Sequence, residues 1–304
     1  MRTGQDGWPP LPYAAWQDSC ATLQLWTQIV GKIRLALAPP LNHWWHVPLY
    51  LTARGLTTSP MPYGSHILQI DFDFIGHRLL IDVSDGRREA MALGPCPVAE
   101  FYAEVMGRLR ALGFEPRIWP MPVEIADPIR FDEDRVHAAY DGAAVNRFWQ
   151  ALVKIDSVLK AFRGEFLGKA SPVHFFWGSF DLAVTRFSGR PAPPPPHHKL
   201  IPDAVNREAY SHEVSSAGFW PGNGGFEEAA FYSYAYPQQP EFADAAVAAP
   251  GYYHRDLGEF ILPYDAVRRA DAPSRMLLDF LRQTYAAAAD LGHWERAAFE
   301  RRGS

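Results

Sequence analysis

The chain has 304 residues, 48% of them hydrophobic and 21% charged, enough apolar material for a large core in one domain or two modules. A formal net charge of -5 without a long basic run argues against the phosphate-tracking surface that nucleic-acid binding needs. Cys20 and Cys96 lack CxxC spacing, which speaks against a disulfide framework or a thiolate zinc site and fits a reducing cytoplasm.

Residues 1–13 carry no apolar signal-peptide core, and no later run approaches the roughly 18 apolar residues of a membrane span, so neither export nor membrane insertion is expected. The first element is a helix over residues 16–37, where Leu23, Trp26, Val30, Ile33 and Leu37 recur at steps of three and four. Residues 42–57, NHWWHVPLYLTARGLT, follow as an aromatic and histidine run. Residues 65–84 then alternate about Gly76 and His77 as a hairpin, with Leu68, Ile70, Phe72 and Phe74 on one face. A strand over 88–93 and a helix from Pro97 to its terminator Gly113 close a first module, 1–118. Four prolines mark a linker at 119–134, counting Pro116 just ahead of it.

The second module, 135–304, repeats the order. A helix over 146–166 carries Phe148, Leu152, Ile155, Leu159, Phe162 and Phe166 on one stripe. Residues 171–190, SPVHFFWGSFDLAVTRFSGR, align without gaps on the earlier run: His174 matches His43, and Phe175 and Phe176 match Trp44 and Trp45. Residues 191–226 form an insertion that the first module lacks, beginning with a polyproline spacer and read as a functional loop. A strand over 231–237 puts Tyr232, Tyr234 and Tyr236 on one face, and a strand over 258–263 and a helix from Pro273 to Gly292 end the module. The fold class is α+β, two tandem α-β-β-β-α pseudo-repeats with mainly antiparallel sheets, joined or packed face to face in one compact unit.

Four motifs, HWWH, PVHFFWGSFDLAVTRFSGR, YSHEVSSAGFWPG and FYSYAYP, together resemble a family of bacterial proteins defined only as a domain of unknown function. The likeness spans nearly the whole chain. It implies a bacterial, soluble unit and assigns no residue a role.

Buried ionic groups are costly unless paired, so a strand-like run holding His174, Asp181, Arg186 and Arg190 among aromatics reads as the lining of a site. His174 and Asp181 share a face if the chain kinks at Gly178-Ser179; without the kink His174 faces Arg186. The leading expectation is an enzyme acting on a small polar or anionic organic molecule. In it His174 is the acid or base, Asp181 orients it, Glu213 assists, and Arg186 or Arg190 holds an anion. Trp177, Trp220, Tyr232 and Tyr234 line the pocket. A non-catalytic binding protein using the same aromatics is the alternative. A third reading places a divalent metal on His43, His174 and His212 or Glu213; against it, these histidines can be bonded to backbone in an aromatic core. No GxSxG, GxGxxG, HExxH or Walker pattern is present.

Overall fold

Helices form where the three- and four-residue apolar steps are longest. In the computed structural model, which describes residues 7–223 and 225–301, α1 (Gln17–Leu37) buries Leu23, Trp26, Val30 and Ile33 as its periodicity requires. Six antiparallel strands follow: β1 (Tyr50–Leu51), β2 (Gly55–Thr57), β3 (Met61–Tyr63), β4 (His66–Asp73), β5 (Arg78–Val83) and β6 (Arg88–Ala92). They lie in the order β1-β2-β4-β5-β6, with β3 also on β4. Helix α2 (Val98–Ala111) then runs to Gly113, whose φ of +84° suits a residue without Cβ.

The irregular stretch after α2 leads into α3 (Gly142–Gly164), where the Asp141 carboxylate caps the N-terminus by accepting from Ala143 N–H at 2.9 Å and Ala144 N–H at 3.2 Å. The second sheet comprises β7 (His174–Phe176), β8 (Asp181–Pro191), β9 (His212–Trp220), β10 (Ala230–Tyr236), β11 (Tyr252–His254) and β12 (Glu259–Pro263). Its order is β11-β12-β10-β9-β8-β7, again antiparallel. A short helix α4 (Asp203–Ala209) lies between β8 and β9, and α5 (Tyr264–Arg269), α6 (Pro273–Leu291) and α7 (Arg296–Phe299) finish the chain. The fold is α+β, as the sequence suggests, and among the described residues no helix is long and apolar enough to cross a membrane.

The two sheets meet edge to edge. Leu49, just ahead of β1, and Phe175 in β7 exchange two backbone hydrogen bonds, each 2.9 Å. Helix α3 lies across this seam, and its Phe148 packs against Phe175, Phe180 and Trp16. A second aromatic cluster, Trp26 stacked on Phe101 at 4.6 Å and on Tyr140 at 5.5 Å, ties α1 to α2 and to the entry of α3.

Three expectations change. Residues 42–46 do not form a strand matching β7: Asn42–Trp44 is a 3-10 turn in which His43 and Trp44 have left-handed φ of 57° and 61°. Prolines at 39, 40 and 48 interrupt ladder pairing on both sides, and Leu41 N–H closes the loop onto His46 Nδ1 at 3.1 Å. The stretch at 191–226 is not one inserted loop, because His212–Trp220 is the strand between β8 and β10; the segment from the end of β8 through α4 to that strand, and the short link from it towards β10, lie outside the sheet. Gly178-Ser179 is not a bulge but part of the tight turn between β7 and β8, closed by Phe180 at φ 62°.

Truncating Phe175 at the seam, Phe175→Ala, should cost about 3–5 kcal/mol of unfolding free energy, because the side chain is fully enclosed by both modules and by α3. Urea unfolding measures it; a loss below about 1 kcal/mol would mean that the seam does not hold the modules together.

Candidate functional site

Strand alternation gives the second sheet two chemically different faces. Cross-strand pairing of Thr185 with Ser216 and Ser216 with Tyr234, and of Ala183 with Gly218 and Gly218 with Tyr232, sets these residues on one face. Asp181 belongs to the same face, as does Glu259 of β12. Helices α3 and α6 cover the opposite face, and the first face opens into a cavity of about 1170 Å³.

Four segments enclose that cavity: the 3-10 turn with His43, Trp44 and Trp45; the linker with Trp119 and Glu124; the β7–β8 turn with Trp177 and Ser179; and α4 with Val205, Asn206 and Ala209, followed by Tyr210. Helix α1 supplies the supports through a polar stripe on its otherwise apolar face. Gln24 Nε2 donates to the carbonyl of Gly178 at 2.6 Å, and Gln28 exchanges two 2.9 Å hydrogen bonds with the backbone of Val123. Lys32, one further turn along, reaches the cavity itself.

Three carboxyl groups line it: Asp181 from β8, Glu124 from the linker and Glu259 from β12. Asp181 accepts from the Ser179 hydroxyl at Oδ1 and from the Tyr232 phenol at Oδ2. Tyr232 reaches Asp181 diagonally across Gly218, where any Cβ would collide with the phenol. Glu124 rests against Gly178, where any Cβ would have to displace the Glu124 carboxyl, and its backbone sits at a left-handed φ of 59°. Such a conformation costs a non-glycine residue on the order of 1–3 kcal/mol, and the Gln28 clamp on the preceding residue holds it.

Burial pushes the Asp181 carboxyl up, against the two hydroxyl hydrogen bonds that pull it down. Burial first, and the nearby Asp181 second, hold Glu124 up at about 7 and Glu259 up at about 8. The Tyr232 phenol is raised well above its ordinary value by burial and by Asp181, so it remains a donor. Tyr210 and Tyr234 add a hydroxyl pair at 2.9 Å. The site thus offers phenol donors and carboxyls held up toward neutral pH, within a lining that includes Trp44, Trp45, Trp119, Trp177 and Trp220.

Of the residues expected from sequence, Asp181, Trp177, Trp220, Tyr232, Tyr234 and His43 line this cavity. His174 shares the face of Asp181 but lies behind Trp45, packed by Tyr50 and Phe176, and is 1% exposed. Neither of its ring nitrogens has a partner, and burial pulls it down to about 3, so the imidazole is neutral and shielded from the cavity. Glu213 and Arg186 point to the helix-covered face. Glu213 accepts from Ser188 and Arg190, while Arg190 also donates to the carbonyls of Gly292 and His293 just past α6. Arg186 lies over Phe162 at 3.5 Å and Tyr285 at 4.3 Å and donates to the Phe162 carbonyl.

The metal set does not assemble. His43 and His212 rings are 5.7 Å apart, but His174 is beyond Trp45 and Glu213 is on the other face. His43 Nε2 accepts from Lys169 at 2.6 Å while Nδ1 faces the Glu208 carbonyl at 3.2 Å, leaving it no free lone pair. Among the described residues no three His, Cys, Asp or Glu side chains are grouped to hold a metal ion. Glu124, Glu259, Trp119 and Lys32 were not singled out by sequence reasoning. The readable signal was the Gln24, Gln28, Lys32 stripe, three polar residues at four-residue steps in an apolar helix.

The fold is α+β, and its large cavity is lined by aromatic side chains and three carboxyl groups. The chain belongs to DUF5996, a family of unknown function, a model of which matches residues 8–301. No curated protein and no solved structure matches it.

A carboxyl held protonated in the fold but ionising near 4.5 when unfolded stabilises the fold fully below about 4.5 and loses that contribution as pH rises through about 7 and 8. His174 acts in the opposite sense, costing stability only as pH falls below the ordinary 6.5 toward about 3. Between pH 6.5 and about 8 the acids therefore set the slope, and unfolding free energy should fall across that window. Urea titrations should find the slope flattened in Glu259→Gln; an unchanged slope would contradict the raised carboxyl.

Proposed function

We propose that the chain is an enzyme acting on a small polar organic molecule by carboxyl acid-base chemistry in this cavity. The placing of Asp181 from β8, Glu124 from the linker and Glu259 from β12 on the lining of one cavity is the observation that carries the reading. A general acid or base works best when it titrates near the operating pH, and Glu124 at about 7 meets that condition. Glu259, higher at about 8, suits proton donation, and Asp181, fixed by two hydroxyl donors, suits orienting a substrate group or receiving its proton. The Tyr210–Tyr234 pair and Thr185–Ser216 pair supply further polar contacts beside them. Relative to the initial expectation, the acid-base role moves from His174 to the carboxyls, and Glu213, Arg186 and Arg190 take supporting positions on the far face.

A non-catalytic binding protein would use the same aromatic walls, and it differs in having no turnover. The free thiols Cys20 and Cys96 and the net charge of -5 support a setting in the bacterial cytoplasm and a small molecule rather than nucleic acid as partner.

A thermal-shift screen of polar metabolites, followed by mass-spectrometric detection of turnover for each stabilising compound, tests the proposal. Asp181→Asn and Glu124→Gln should each lower turnover by about 100-fold or more while leaving binding within a few-fold. Binding without turnover by the native chain would favour the binding protein, and undiminished turnover in both variants would remove the carboxyls from the chemistry. Tyr232→Phe removes a hydrogen bond that pulls Asp181 down, so any pH-rate limb governed by Asp181 should move to higher pH. A limb that stays in place would assign it to Glu124 or Glu259.

A further inference from the structure

Lys32 is the buried ionic group of the cavity that the acid-base reading leaves unused; Arg117, the other cation on the lining, is exposed. Lys32 enters from α1, lines the cavity, and is 6% exposed. Its Nζ lies 5.3 Å from the ring centre of Trp119 and 6.0 Å from that of Trp177. Trp177 is pinned in place, its indole laid over Gly31 and its Nε1 donating to the Val47 carbonyl at 2.9 Å. Among the described residues no carboxylate pairs with Lys32, and burial alone pulls its amine down to about 8. Lys169 differs: its amine is spent on His43 Nε2 at 2.6 Å.

A buried ammonium needs an anion, because ion-to-ring contacts recover only about 0.5–2 kcal/mol of a desolvation cost of several kcal/mol. The carboxyls of the site are themselves held up by burial and do not supply it. We infer that Lys32 is the anion-binding residue of the cavity and receives the carboxylate of a planar, aromatic carboxylic acid between Trp119 and Trp177. One buried ammonium balances one carboxylate, whereas a phosphate monoester at about -1.5 to -2 would need a second cation as deeply buried, and Arg117 on the lining is exposed. The flat body fits because the space beside Lys32 is walled by indole faces, and the polar end of such a ligand then points to Asp181 and Glu124. The inference rests on the cavity being the binding site proposed above.

Benzoate and its neutral isostere benzamide serve as probes. Acetic anhydride labelling at pH 8, read by peptide mass spectrometry on the native chain, should show Lys32 protected by benzoate and not by benzamide. Equal protection, or none from either, overturns the inference. Tryptophan fluorescence titration should show benzoate binding at least about tenfold weaker in Lys32→Met and restored within a few-fold in Lys32→Arg, with melting temperature confirming that both variants fold. Undiminished benzoate binding in folded Lys32→Met also overturns it. Glu124→Gln separates the two readings. It should keep the preference for benzoate over benzamide while losing turnover, so a failure confined to Lys32 leaves the acid-base proposal standing.

Discussion

Two backbone hydrogen bonds between Leu49 and Phe175 are the constraint on which the site depends. By joining the sheets at their edges they bring the 3-10 turn and α1 of the first module over the open face of the second sheet. Neither module alone encloses the cavity: the acids Asp181 and Glu259 come from the second, and His43, Trp45 and Lys32 from the first. The linker between them, clamped through Gln28 and Val123, delivers Glu124 and Trp119 as the remaining wall. A hinge at this seam would separate the acids from the ammonium.

Local pattern was enough for the elements that bury one face. The periodic stripes of α1 and α3 and the alternation through β4 and β5 sit where the sequence places them, since side-chain period and burial are the same fact. The 42–57 run was harder, because its likeness to 171–190 is compositional while prolines force its backbone into a turn. The pattern of His212–Trp220 hides its strand, because Ser215 and Ser216 break the apolar alternation of a segment buried between α6 and the cavity. Strand parity did separate Asp181 from Arg186, an odd step apart, although only the turn at 177–180 shows that Asp181 takes the cavity side. Glu124 and Glu259 were illegible for a plainer reason. Their importance lies in which neighbours fold toward them, and a proline-rich linker carries no periodic signal of its own.

Strand β8 buries two opposite charges five residues apart, and they are solved differently on its two faces. Moving either ion out of water costs several kcal/mol, and the sheet itself keeps them from pairing. On the helix side Arg186 finds the faces of Phe162 and Tyr285 and one backbone carbonyl, an arrangement that fills its surroundings and leaves no room for a ligand. On the cavity side Asp181 has only hydroxyl donors, and Glu124 and Glu259 line the same cavity with no salt-bridge partner among the described residues. The remaining unfavourable energy there is relieved by holding protons. A group that keeps a proton only because its surroundings disfavour charge will release it when a bound molecule changes those surroundings, which is what acid-base chemistry requires and what a purely structural carboxyl would avoid. The contrast across one strand therefore separates Arg186, packed among aromatics under the helices, from Asp181, which lines the cavity and on which the proposed chemistry rests.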